Sequence, residues 1–307
     1  MIRIEKILFP TDFSICSDQV LEHAVYLADK YNAELHIVNV LILFHKYSPI
    51  DSIDLPDEKK YTDRIDIQIR EQLNKLSSDY NLDNIKIVKK QVRGISEAPA
   101  ILEYASDIDA DLIIMGTHGR RGVKHLFLGS VAEEVVRQAD MPVFTIRELE
   151  KPKPITHYNN ILAPIDFSDH SKKTIQYVRR IAKNYDAKIQ LLHVIEDNLP
   201  AIYSLAGHTS IYDLEPKIEE KTKAKIKEFY TSIEGAEENY EIFTRVGHPA
   251  KTIINFSEEN NSDLIVIATH GLRGIDHFLM GSVTEKVVRR SSIPVFTVRA
   301  FGKSLIV

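Results

Sequence analysis

The chain has 307 residues, 44% of them hydrophobic and 27% charged, with a formal net charge of −5 and a pI of about 6.2. That length favours two well-cored globular domains, and the acidic balance argues against a general polyanion binder. Cys16 is the only cysteine, which excludes an intramolecular disulfide, and neither a membrane-length apolar run nor a signal-peptide pattern is present, so a cytoplasmic protein with no nucleic-acid or membrane partner is expected.

In chain order, residues 4–9 (IEKILF) form a short apolar run that reads as a buried strand, ended by Pro10, Thr11 and Asp12. A helical pattern follows over 17–31, with Val20, Leu21, Ala24, Leu27 and Ala28 on one face. Residues 34–41 (ELHIVNVL) are the second strand. Residues 42–57 hold Pro49 and Pro56 and read as a long loop, a feature that is often functional inside a compact domain. A helix to about residue 80, a strand over 85–92, a turn at Gly94 and a helix over 96–106 come next. The run 111–115 (DLIIM) reads as a continuous apolar strand opened by Asp111, followed by a glycine-bearing loop over 116–129, a helix over 130–137 and a last strand over 142–146.

Residues 117–147 (THGRRGVKHLFLGSVAEEVVRQADMPVFTIR) recur at 269–299 (THGLRGIDHFLMGSVTEKVVRRSSIPVFTVR), so the repeating unit is a whole domain. The second half carries strands at 160–163, 188–194, 240–245, 263–267 and 294–298, and a long loop at about 196–214. Strands alternating with helices imply an α/β fold: two tandem domains, 1–148 and 158–307, each a five-stranded parallel sheet with helices on both faces. A proline-bearing connector at 148–157 reads as a stiff linker. Each final strand opens with a proline, which suits an edge, so the halves are expected to pair edge to edge as an internal pseudo-dimer.

The glycine loop carries the chemistry. Gly116, Gly119, Gly129 and Ser130 fit G-x2-G-x9-G-[ST]. Gly116 ends a buried strand, at the carboxyl edge of the sheet where ligands bind, and allows a ribose to approach the backbone. The helix opening at Gly129-Ser130-Val131 offers unpaired N–H groups and a positive dipole end to a phosphate, and Ser130 can add a hydroxyl. The competing reading is a capping box, Ser130 with Glu133 and Ser282 with Glu285, which needs no ligand. Asp12 and Asp166, in PTDFS and PIDFS, read either as carboxylates serving a ribose or a metal, or as Asx turns into the next helix. Val40 and Val194 end the second strands, where an adenine edge would meet backbone, and read equally as core valines.

Other residues read as structural. His118, His125, His270 and His277 match no metal-binding spacing. Arg120, Arg121 and Arg273 suit either a terminal phosphate or a solvated loop. Cys16 lies at a helix start, which would lower its pKa, but it has no partner cysteine. Phe44, His45, Tyr47, Ile202, Tyr203 and Leu205 suit either lids and partner surfaces or packing on their own domain. Glu219 and Lys223 stand at i,i+4 on a helix face expected to be solvated.

Taken together, PTDFS and PIDFS, GTHGRRG and ATHGLRG, GSVAEEVV and GSVTEKVV, and PVFTIR and PVFTVR resemble the universal stress protein family in its tandem form, over almost the whole chain. The resemblance implies a fold like that of the adenine-nucleotide alpha hydrolases, dimerisation through the last strand, and ATP binding where the glycine motif is kept. By the same resemblance, Asp12 meets the ribose region, Val40 the adenine and Gly116 the nucleoside, Gly119, Gly129, Ser130 and Val131 hold the phosphates, and Pro10, Thr11 and Met115 belong to the same nucleotide site. The second half matches at Asp166, Val194, Gly271, Gly281, Ser282 and Val283. It departs at Ala268, whose methyl would crowd the ribose and, were positive φ required, would add about 1 kcal/mol of strain. The expected function is an ATP-binding regulator of a stress response, with magnesium accompanying the nucleotide, an unidentified protein partner, and a pseudo-dimer or homodimer. The alternatives are a slow ATPase using Asp12 and a divalent metal, and a nucleotide-free scaffold.

Overall fold

The structure, a computed structural model, describes residues 2–42, 58–76, 82–118, 128–150, 157–197, 203, 205, 207, 209–235, 239–270, 280–299 and 302–306. It divides into two compact units, a first built from Arg3–Ile155 with Phe301–Leu305 and a second centred on Thr156–Ala300. Both are α/β.

In the first unit the elements run β1 (Lys6–Pro10), α1 (Ile15–Tyr31), β2 (Glu34–Ile42), α2 (Glu58–Leu76), β3 (Ile87–Gly94), α3 (Glu97–Asp107), β4 (Leu112–Gly116), α4 (Ser130–Gln138) and β5 (Val143–Ile146). The strands are parallel and lie in the order β3-β2-β1-β4-β5. The second unit repeats this with β6 (Asn160–Pro164), α5 (Asp169–Tyr185), β7 (Lys188–Ile195), α6 (Ile211–Leu214), α7 (Ile218–Thr231), β8 (Tyr240–Val246), α8 (Pro249–Glu259), β9 (Leu264–Ala268), α9 (Ser282–Arg290) and β10 (Val295–Val298). Its order is β10-β9-β6-β7-β8, again all parallel.

In each order the winding reverses once, between β1 and β4 and between β6 and β9. Right-handed crossovers on opposite sides of that point send helices to opposite faces. The crevice at the reversal is where open α/β sheets bind ligands. The register there sets Ile7 beside Leu112 and Leu8 beside Ile113. All four are buried, as are Ile113–Met115 and their counterparts Ile265–Ile267, which explains why these strands read as unbroken apolar runs.

The helices follow local chemistry. Ser14 caps α1 by accepting from Ser17 N (3.2 Å), and Ser168 caps α5 by accepting from Ser171 N (3.1 Å). Each helix ends in a left-handed residue, Asn32 (φ 52°) or Asp186 (φ 49°). Val20, Leu21, Ala24, Leu27 and Ala28 are all buried, as their spacing predicts. Gly94, read as a turn, is the last residue of β3.

Two details were not anticipated. Asp111 Oδ2 accepts from Glu5 N (2.7 Å) and Lys6 N (2.9 Å), and Asp263 Oδ2 accepts from Asn159 N (2.8 Å) and Asn160 N (2.9 Å), so a carboxylate ties the entries of the two central strands in both units. In the second unit Arg179, 4% exposed, reaches the carbonyls of Ile233 (2.6 Å), Glu234 (2.9 Å) and Tyr230, with its guanidinium 4.0 Å from the Tyr230 ring centre. It closes the carboxyl end of α7, where a cation suits the helix dipole. On α7 Lys223 is exposed, as expected of a solvated face, whereas Glu219 is half-buried and engaged. Glu219 accepts from Tyr212 Oη (2.5 Å) and Thr244 Oγ1 (3.4 Å), because β8 and α6 offer it fixed hydroxyls.

Candidate site at the carboxyl edge of each sheet

The sheet topology brings the strand-end motifs together at the reversal. Pro10 ends β1, Gly116 ends β4, and the chain runs from them into Thr11-Asp12 and Thr117-His118. Val40 lies late in β2, half-buried and in register with Val92. Val194 lies late in β7, in register with Arg245.

Asp12 is an Asx-turn residue, one of the two readings its sequence left open. Its Oδ1 accepts from Ser14 N (3.1 Å) and Ser17 Oγ (2.7 Å), which makes an Asx turn and fixes the α1 cap. Asp166 Oδ1 does the same with Ser168 N (3.0 Å), Ser168 Oγ (2.6 Å) and Ser171 Oγ (2.6 Å). Phe13 and Phe167 follow with φ of 60° and 65°. The repeated turn holds each carboxylate at the sheet edge. The serines that position it went unread as a network, although F-S-x-x-S stands in both halves.

The two ends of the glycine loop are fastened. Thr117 N donates to Ile146 O (2.9 Å), Gly129 N donates to Thr117 O (2.8 Å), and Thr117 Oγ1 lies 2.8 Å from His118 Nδ1. The second unit has the same set in Thr269 N to Val298 O (2.9 Å), Gly281 N to Thr269 O (2.8 Å) and Thr269 Oγ1 to His270 Nδ1 (3.0 Å). His118 and His270 therefore help to close the loop, in line with the structural role expected. Gly119, Arg120, Arg121, His125, Gly271, Arg273 and His277 lie outside the described residues, as do Phe44, His45, Tyr47 and Ile202.

The capping boxes are absent. Gly129 is the cap residue of α4 and Gly281 that of α9, and among the described residues no side chain makes a cap bond at either start. Ser130 and Ser282 sit one position later, inside the first turn, and are exposed. The bonds from Glu133 N to Gly129 O (2.9 Å) and from Glu285 N to Gly281 O (2.9 Å) set that register. Gly129 is favoured by its surroundings, since a Cβ there would lie 3.0 Å from Thr117 O, closer than most side chains approach. Val131 and Val283 are half-buried behind the helix start.

Gly116 has a packing cause that the sequence does not show. It does not adopt positive φ. A Cβ there would stand 2.6 Å from Cys16 Sγ and 3.2 Å from His118 O, so the buried thiol of α1 occupies the space of a side chain. The expectation of a lowered Cys16 pKa fails. Burial pushes the thiol up, and backbone contacts from His118 only partly oppose this. In the second unit Ala268 replaces Gly116, and His170 takes the place of Cys16 at the helix start. The His170 ring lies 6.0 Å from that of His270. The glycine-to-alanine departure thus goes with a change of its neighbour and carries no positive-φ strain.

Chemically, each edge can offer a carboxylate held by serines, a strand-end backbone, and a helix start that makes no side-chain cap bond among the described residues. That donor set fits the polyphosphate and ribose of a nucleotide. Among the described residues no group of three or more His, Cys, Asp or Glu side chains is placed to hold a metal ion, and no helix is long and apolar enough to cross a membrane.

The comparisons agree with the doubling. The model of the universal stress protein family matches residues 3–147 and again 157–299. Universal stress protein Slr1230 of Synechocystis is 24% identical over 96% of this chain and 100% of its own length. Universal stress protein MJ0531 of Methanocaldococcus jannaschii is 32% identical over 48% of this chain and 84% of its own. A universal stress protein structure from Archaeoglobus fulgidus aligns with a TM-score of 0.63 at 23% identity, covering 96% of this chain and 98% of that one, which shows the shared fold. The chain belongs to the universal stress protein family, in tandem two-domain form.

Proposed function

We propose that this protein binds ATP at the carboxyl edge of its first unit and acts as a nucleotide-dependent regulator rather than as an efficient enzyme. The observation that carries the reading is the start of α4, a helix of nine residues at the topological reversal, with Gly129 as cap and no capping side chain. In this reading the amides at Ser130 and Val131 and the Ser130 hydroxyl receive phosphates, Gly116 and Met115 border the nucleoside, and Asp12 Oδ2 serves the ribose. Pro10 and Thr11 hold Asp12 in place, and Val40 presents backbone to the adenine. Magnesium would travel on the phosphates. The engagement of Asp12 Oδ1 by Ser14 and Ser17 supports positioning over proton transfer, since a base must be able to move its proton freely.

The second unit repeats the arrangement at Asp166, Val194, Gly281, Ser282 and Val283, with Ala268 the departure, and the reading ranks it the weaker site. The test is direct. Protein purified without added nucleotide is denatured and assayed for released ATP. Retention by the intact protein and its loss in Gly129→Val support the reading, because a side chain at Gly129 would press on Thr117 O and spoil the cradle. Full retention in that variant removes the assignment.

A further inference from the structure

The first unit includes a short stretch from far along the chain, residues 302–305, which follows β10. Lys303 N donates to Asp140 O (2.6 Å). Lys303 Nζ lies between two acids, 2.8 Å from Asp109 Oδ1, 2.9 Å from Asp111 Oδ1 and 2.8 Å from Asp109 O. Arg3 N donates to Leu305 O (3.0 Å), and Leu305 is 2% exposed. Gly302 permits no side chain, because a Cβ would lie 2.0 Å from Asp140 O. Burial works against the Lys303 ammonium, yet its bonds to Asp109 and Asp111 prevail and its pKa is raised. The Lys303 bond in turn holds Asp109 below the usual carboxylate range.

The places gripped are particular. Asp111 precedes β4 and already ties Glu5 N and Lys6 N, and Asp140 follows the end of α4. These are the far ends of the two elements whose near ends, Gly116 and Ser130, frame the candidate site. The second unit has Asn261 and Asp263 where the first has Asp109 and Asp111, and Asn261 keeps the left-handed backbone (φ 49° against 53°) without the charge. The acid pair that receives a lysine is thus built into the first unit.

We propose that residues 302–305 are a latch that clamps the entry of β4 and the exit of α4, and so tunes the nucleotide site of the first unit. The tuning rests on the ATP reading above, whereas the clamp does not. The latch has one fixed turn (Gly302), one charged pin (Lys303) and one apolar anchor (Leu305). Releasing it loosens one end of a five-residue strand whose other end borders the ligand, a route by which a tail could report on or restrict occupancy.

The test uses the full chain and two variants. Lys303→Glu sets a carboxylate between two others, and Asp109→Asn removes one acid while keeping a residue that tolerates left-handed backbone. Residue-resolved hydrogen exchange without nucleotide is followed by ATP titration. The latch predicts that the amides of Arg3, Glu5 and Lys6 exchange about tenfold faster in Lys303→Glu, and less so in Asp109→Asn, while those of Asn159 and Asn160 stay unchanged. It also predicts that ATP affinity at the first site changes by about fivefold. Unaltered exchange overturns the clamp. Faster exchange with identical ATP affinity overturns the tuning. Should the unsubstituted protein bind no ATP, it is the nucleotide reading that fails, and the exchange data alone decide the clamp.

Discussion

At the scale of single residues, Gly116 and Cys16 form one packing decision. The glycine is easy to find, because it ends an apolar strand and opens the repeated motif. Its reason is hidden, because Cys16 stands 100 positions earlier and meets it only through the β1–β4 neighbourhood. Gly116→Ala should therefore destabilise the first unit by about 1–3 kcal/mol through overpacking. The double variant with Cys16→Ala should recover most of that loss, as read by denaturant unfolding. Equal stability of the single and double variants would show that the thiol is not the obstacle. Arg179 is a second such case, since nothing marks it out in the helical pattern of 169–185. Arg179→Met would take the guanidinium donor from the carbonyls of Tyr230, Ile233 and Glu234, at a cost of about 3 kcal/mol. A thermal midpoint unchanged by this substitution would contradict that role.

At the scale of elements, the strands were the most legible part, because 112–115 and 264–267 are unbroken apolar runs, each preceded by an aspartate. The observed strands begin or end a residue or two later than the runs suggest, as with Leu112–Gly116 and Leu264–Ala268. The start of α4 was legible in position and misread in register. S-x-x-E looks the same whether Ser is the cap or the first helical residue, and the choice is made by the tertiary bond from Gly129 N to Thr117 O. One consequence is measurable. With no capping bond to lose, Ser130→Ala should leave stability in the absence of nucleotide within about 0.5 kcal/mol of the original, where loss of a true serine cap costs about 1 kcal/mol. The same substitution should weaken ATP binding. A stability loss at the capping value would restore the capping box.

At the scale of the whole molecule, three histidines, His23, His36 and His193, share a direction. His23 is half-buried, but its Nδ1 is sealed from water without a hydrogen-bond partner, and burial holds its pKa down to about 3. Burial also lowers His36, against the pull of Glu34 3.1 Å away, and lowers His193, against its bond to Ile165 O (2.7 Å). A histidine with a depressed folded pKa takes up a proton more readily when unfolded, so its stabilising effect is full above the ordinary value of about 6.5 and is lost as the pH falls below it. For His23 that loss continues toward pH 3 with a slope of at most about 1.4 kcal/mol per pH unit. Urea midpoints should thus drop between pH 6.5 and 4.5, and His23→Leu should flatten the profile. An unaltered slope would show that His23 protonates equally in both states. Domain doubling was plain in the chain because the repeat is long and close. The stretch at 302–305 was not, because a Gly-Lys pair carries no periodicity and its partners lie about 160 to 300 positions away.

The central claim is that the bare helix start at Gly129-Ser130-Val131 grips the phosphates of ATP. Calorimetric titration of nucleotide-stripped protein with ATP and magnesium, run beside Gly129→Val and Gly281→Val, tests it most directly. The account predicts saturable binding whose tighter component vanishes in Gly129→Val and survives in Gly281→Val. No binding at saturating ATP, or a tighter component untouched by Gly129→Val, would contradict it.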